Sequence, residues 1–165
     1  MQYIVGIDPG CTESAYCLID ENLKPLSFTK MENELMWCHM VDALVKYANG
    51  KQVLFAIEMI ASYGMPVGAE TFDTCRWIGK MEERLDRLDV LLVYRIEERK
   101  HICHDPRAND ANIRMALIDR FAPNTPNKGK GTKKEPGWFY GFRADIWQAY
   151  AVAVTADEIK RGIQA

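Results

Sequence analysis

The chain has 165 residues, 48% of them hydrophobic, which suits one domain of ordinary size with a substantial core. Its formal net charge of −2 argues against a protein that coats nucleic acid nonspecifically, and its 5 scattered cysteines, without a Cys-x-x-Cys pair, argue against a disulfide framework or a cysteine-rich zinc module. No apolar stretch approaches the ~18 residues of a membrane span and no signal-like segment opens the chain, so the expectation is a cytoplasmic protein with no membrane partner.

Residues 2–8, 14–20 and 25–30 read as three strands of a meander, with Gly10 and Asp20-Glu21-Asn22 at the turns. The first strand closes in Gly6-Ile7-Asp8-Pro9-Gly10, where Asp8 reads either as a turn residue before Pro-Gly or as a strand-end ligand. Across 33–48, Trp37, Val41, Leu44, Val45 and Ala48 recur at helical spacing and predict an amphipathic helix ending at Asn49-Gly50. Residues 52–58 form a fourth strand, nearly continuous in apolar residues as a central strand is, and end in Glu58. Residues 61–67 read as a loop. The stretch 68–88 predicts a long helix with Ile78, Met81, Leu85 and Leu88 on one face and Arg76, Lys80, Arg84 and Arg87 on another, where Glu82, Glu83 and Asp86 offer ion pairs.

A fifth strand at 89–95, reached through that helix, should run parallel to the fourth. Residues 97–104 read as a polar stretch; His101-Ile102-Cys103-His104 with Asp105 lacks the spacing of a common four-ligand zinc module and reads as a surface turn. A helix over 110–121 turns Ile113, Ala116 and Leu117 inward and stops at Ala122-Pro123-Asn124. Residues 123–137, with Lys128, Lys130, Lys133 and Lys134 and almost nothing apolar, predict a mobile basic loop within a single domain spanning 1–165. The last helix, 144–161, packs through Ile146, Ala149, Tyr150, Ala153 and Ala156 and turns Asp157 and Glu158 to solvent.

This order calls for an α/β fold with a five-stranded mixed sheet flanked by helices. Two carboxylates ending buried strands lose hydration, and a divalent cation is one group that can replace it. Three segments, Gly6-Ile7-Asp8-Pro9-Gly10, Ala56-Ile57-Glu58 and Arg143-Ala144-Asp145-Ile146-Trp147-Gln148-Ala149-Tyr150-Ala151-Val152-Ala153, stand in the order and spacing of the RuvC-type Holliday-junction resolvases among the ribonuclease-H-like nucleases. The chain resembles that family over essentially its whole length, and the compact phage-type RuvC-like proteins most.

The resemblance implies a ribonuclease-H-like fold, three antiparallel meander strands plus two parallel ones. It also implies a metal-dependent, structure-selective endonuclease that hydrolyses four-way (Holliday) or branched DNA junctions as a homodimer formed through the 68–88 helix. Asp8, Glu58 and Asp145 take the places of the catalytic acids and hold Mg²⁺, with Mn²⁺ able to substitute. One position departs: the family carries an acid three residues after the first on the last helix, and this chain has Gln148. Its amide oxygen would face the metal from the same helix face as Asp145, or Glu70, Asp105 or Asp110 would fold in instead.

DNA contacts fall to Arg76, Lys80, Lys128, Lys130, Lys133 and Lys134, with Tyr63 and Phe72 as wedges at the junction centre. Trp138, Phe139, Tyr140 and Phe142 either stack on an unpaired base or pack the root of the loop. The competing readings are a non-catalytic junction-binding protein, a ribonuclease-H-like nuclease acting on other nucleic acids, and an actin-like nucleotide-binding protein. The last is disfavoured because the chain is too short for a duplicated domain with a second phosphate loop.

Overall fold

The computed structural model describes residues 3–62, 64–85 and 88–164, so Tyr63 and Arg87 lie outside the described residues. The elements are β1 (Tyr3–Asp8), β2 (Glu13–Ile19), β3 (Pro25–Glu32), α1 (Asn33–Tyr47), β4 (Val53–Met59), α2 (Ala69–Arg84), β5 (Asp89–Tyr94), α3 (Arg95–Cys103), α4 (Asp110–Phe121) and α5 (Ile146–Lys160). The sheet order is β3-β2-β1-β4-β5. β1 to β3 form the antiparallel meander, whereas β1 with β4 and β4 with β5 run parallel.

Alternation along the strands sorts the core into two layers. Tyr3, Val5 and Ile7 of β1, with Phe55 and Ile57 of β4, pack against Met36, Met40 and Ala43 of α1 and Trp77, Ile78 and Met81 of α2. Ile4 of β1, with Leu54 and Ala56 of β4, faces the other way, toward α4, α5 and the aromatic residues Phe139 and Phe142. Asp8 follows Ile4 and Gly6 in this alternation, and Glu58 follows Leu54 and Ala56. Both carboxylates therefore belong to the α5 side, and the parallel register Ile7↔Ile57 makes them neighbours at the same end of the sheet.

Gly6 sets how closely α5 approaches. A Cβ on it would stand 2.0 Å from the Ala149 carbonyl oxygen and 2.6 Å from the Ala153 backbone nitrogen, so only glycine lets the helix backbone lie on β1. α5 is accordingly buried almost all round, including Trp147 and the run Ala149–Ala156, rather than along one stripe.

Four sequence expectations are corrected. The buried face of α1 is Asn33, Met36, Met40 and Ala43, while Val41 and Val45 of the expected stripe stand exposed: unbranched methionines fill the space under the sheet as well as valine would. The 97–104 stretch is not a surface turn. It is helix α3, whose start is secured by the Glu97 carboxylate accepting from the Tyr94 N–H at 2.7 Å, and His101 turns inward to Glu158 at 3.2 Å. Glu158 is buried rather than solvent-facing because Arg120 and His101 each engage one of its oxygens. Of the two readings open for the aromatic group, packing of the loop root holds for Phe139 and Phe142, fully buried among Trp147 and Tyr150; Trp138 stacks on Phe121 at 5.5 Å, and only Tyr140 of that group is exposed. Leu88 likewise leaves the expected α2 stripe, being 53% exposed.

Candidate active site

Strand β1 ends in Asp8 because Pro9-Gly10 cannot continue the ladder, and the turn behind it is tied down by a buried polar knot. Ser14 Oγ accepts from the Gly10 N–H (3.1 Å) and from Trp77 Nε1 (3.1 Å) and donates to Asn33 Oδ1 (2.7 Å). Asn33 Nδ2 returns to the Gly10 carbonyl at 3.1 Å. Every polar atom of the Ser14 hydroxyl is engaged, which fixes the backbone that carries Asp8.

Asp8 and Glu58 are neighbours at adjacent strand ends, and the carboxyl of Asp8 is pushed up to about 8, first by burial, then by the negative charges of Glu58 and Asp145. Glu58 is also raised, by burial, with Arg95 as the largest opposing influence. Two adjacent carboxylates that keep a proton near neutral pH form a site short of positive charge.

Asp145 reaches the site from the first residue before α5. Ala144 ahead of it holds φ 42°, a left-handed conformation that costs a non-glycine residue about 1 kcal/mol or more and that turns the chain into the helix at this point. The Asp145 carboxylate pairs with Lys30 Nζ of β3 at 2.7 Å, and that partner holds the lysine above its usual range.

Arg95, at the start of α3, was not anticipated. Its guanidinium lies 3.5 Å from Glu58, 3.1 Å from Glu98 and 2.5 Å from Asp110, three carboxylates from three elements. Glu98 is fully buried, and its Oε1 has no hydrogen-bond partner among the described residues. Burial, followed by the charge of Glu58, holds it well above the carboxylate range. Of the three acids considered as replacements at the Gln148 position, Asp110 is tied to the site through Arg95; Asp105 pairs with Arg107 and Glu70 lies exposed in the first turn of α2.

Gln148 follows Asp145 by one turn and lines a cavity with Asp110, Arg114, Lys128 and Trp147. Lys128, Lys133 and Lys134 are exposed, Lys130 is half-buried, and none of the four has an ion pair with a described residue. Their loop carries its own hydrogen bonds, among them Gly131 N–H to the Pro126 carbonyl at 2.9 Å and Gly137 N–H to the Lys130 carbonyl at 2.9 Å. The α2 cations are more committed: Lys80 and Arg84 both pair with Glu34, and Arg84 lies over Trp37 and Trp77 at 5.2 and 5.5 Å. Arg76 is 85% exposed, 3.5 Å from Asp73, and Phe72 is exposed.

Among the described residues no three His, Cys, Asp or Glu side chains converge as a closed metal-binding group, since Asp145 is turned onto Lys30. The donor chemistry nevertheless suits a hard divalent cation: oxygen donors only, crowded enough that the carboxyls of Asp8 and Glu58 are both raised. No described helix is long and apolar enough to cross a membrane.

Neither a protein-family model nor a curated protein matches the chain. Among solved structures, RuvC of Thermus thermophilus matches over 98% of this chain and 98% of its own, with a TM-score of 0.67 at 13% identity. The same bacterium's RuvC in complex with Holliday junction substrate matches over 99% and 98%, with a TM-score of 0.69 at 11% identity. The chain has the RuvC, ribonuclease-H-like fold from end to end.

Proposed function

We propose that the protein is a divalent-metal-dependent endonuclease that hydrolyses phosphodiester bonds at four-way or branched DNA junctions. The observation that carries this reading is the Asp8–Glu58 pair at adjacent strand ends, facing the start of α5 and Asp145 within a RuvC-like fold. Asp8, Glu58 and Asp145 would hold the ions, Mg²⁺ or Mn²⁺ in preference to zinc because all donors are oxygen. Bound there, divalent ions lower the pKa of an attacking water and neutralise charge developing on the phosphate oxygens.

The chain's own groups have distinct tasks. Asp8 would hold a cation in its deprotonated form, so binding there would be coupled to loss of its proton. Arg95 restrains Glu58 from behind. Lys30 is the counter-ion of Asp145, which would have to exchange that partner to hold a cation. Lys128, Lys130, Lys133 and Lys134 meet the phosphates of the DNA arms. A homodimer would bring two such sites to opposed strands, and the exposed Met65, Val67 and Phe72 around the start of α2 suit the contact.

The test is cleavage of a labelled four-way junction beside linear duplex, splayed-arm and RNA–DNA hybrid substrates, in Mg²⁺, Mn²⁺ or EDTA. Asp8→Asn, Glu58→Gln and Asp145→Asn should each lose on the order of 10³-fold in cutting while still binding the junction, since each removes ion-holding charge and leaves the DNA surface. Robust cutting by all three variants overturns the assignment. Binding without cutting in either metal would favour the junction-binding alternative, for which the neutral Gln148 and the Lys30–Asp145 pair speak.

A further inference from the structure

Beside the acid site, α4, α5 and the segment between them enclose a cavity of about 400 Å³, inside the ~300–1,000 Å³ range of small-ligand sites. Its cations have no carboxylate partner among the described residues. Arg114 forms no ion pair among the described residues and has a buried Nε without a partner, and Lys128 is exposed and unpaired. The only acid in the lining, Asp110, is engaged by Arg95. The cavity therefore favours an anion.

It also has an apolar plate with unused donors. Trp147 is 4% exposed, with the Arg114 guanidinium 4.7 Å over its ring, and Met115 lines the opening. The indole N–H of Trp77 donates to Ser14 and that of Trp138 to Tyr150, but Trp147 Nε1 is buried with no partner. A buried donor left unpaired costs about 1–3 kcal/mol. Gln148 adds an amide, the side chain whose paired donor and acceptor match a base edge.

We propose that this cavity takes one unpaired nucleotide of the DNA strand at the acid site, its phosphate on Arg114 and Lys128 and its base read by Gln148. The assignment rests on the nuclease reading and deepens it: the amide stands where an acid would repel a phosphate, and it selects among bases instead of adding charge to the metal.

The experiment uses the full chain in EDTA, following indole N–H signals by NMR during titration with each of the four 2′-deoxynucleoside 5′-monophosphates and with orthophosphate. The Trp147 signal is assigned by Trp147→Phe, or by replacing the other three tryptophans in turn where that variant does not fold. The expected result is a saturable shift of the Trp147 signal that differs among the bases. Its dissociation constant should rise about tenfold in Gln148→Ala and Arg114→Gln, with the remaining indole signals reporting that each variant is folded. No shift overturns the proposal; an equal shift with all four nucleotides and with orthophosphate overturns base reading. Because no metal or cutting enters, nucleotide binding by a protein that cuts nothing would sink the nuclease reading alone, and junction cutting with an unmoved Trp147 signal would sink this one alone.

Discussion

Two acidic centres lie near opposite ends of α5, and they are balanced differently. Glu158 is one carboxylate with a partner for each oxygen, Arg120 on one and His101 on the other. At the sheet end, Asp8, Glu58, Glu98, Asp110 and Asp145 share Arg95 and Lys30, Asp8 retains a proton, and one Glu98 oxygen has no partner. Each holds a buried carboxylate, Glu158 in one and Glu98 in the other. The contrast teaches that the charge left uncompensated, rather than the burial of an acid, separates the proposed cation site from one that braces the fold.

Substitution should reverse sign between the two centres. Glu158→Gln should destabilise the protein by about 2 kcal/mol, since it weakens the charge-assisted hydrogen bonds to Arg120 and His101, and should leave divalent-ion binding intact. Asp8→Asn in EDTA should hold or raise the melting temperature. Equal losses from both variants would erase the distinction.

Ions sharpen it further. A divalent ion at a hundred times its dissociation constant should stabilise the wild type by about 2.7 kcal/mol and leave the Asp8→Asn protein almost unmoved, as read by thermal unfolding. In EDTA the raised carboxyl of Asp8 means that the folded state holds a proton the unfolded chain releases near pH 4. Stability should therefore fall as pH rises from about 4 to about 8, the value reached by Asp8, and this slope should weaken in Asp8→Asn, the raised carboxyls of Glu58 and Glu98 supplying what is left. A flat profile for the metal-free wild type would contradict the charge deficit.

The smallest effect concerns the backbone under Asp145. Ala144→Gly should stabilise the chain by about 1 kcal/mol by relieving the left-handed φ, while loosening Asp145 and raising the Mg²⁺ concentration needed for cutting. A change in stability without a change in metal requirement would mean that Ala144 does not position the acid.

Much of this was legible in the residues. Asp8 and Glu58 close apolar runs of matching length, and period-two alternation places both on one face once the strands pair in parallel. Asp145 came through the resemblance of its surrounding segment, because nothing local to Arg143-Ala144-Asp145 announces a site. Arg95 and Glu98 stayed hidden: Arg-Ile-Glu-Glu-Arg-Lys-His has no apolar periodicity, and its helix exists through an end-cap and through tertiary partners for charges that a sequence pattern reads as surface. The α1 face was misread for a related reason, since the stripe of valines was given weight that the methionines carry.

The contact at Gly6 also orders events in time. With the α5 backbone seated where no side chain fits, a loosened helix cannot keep Asp145 near Asp8, so the site closes only when the last tenths of an ångström of that seam are gone. In a refolding chain, capture of a paramagnetic ion such as Mn²⁺ would thus mark the end of core consolidation, a clock set by a missing methyl group.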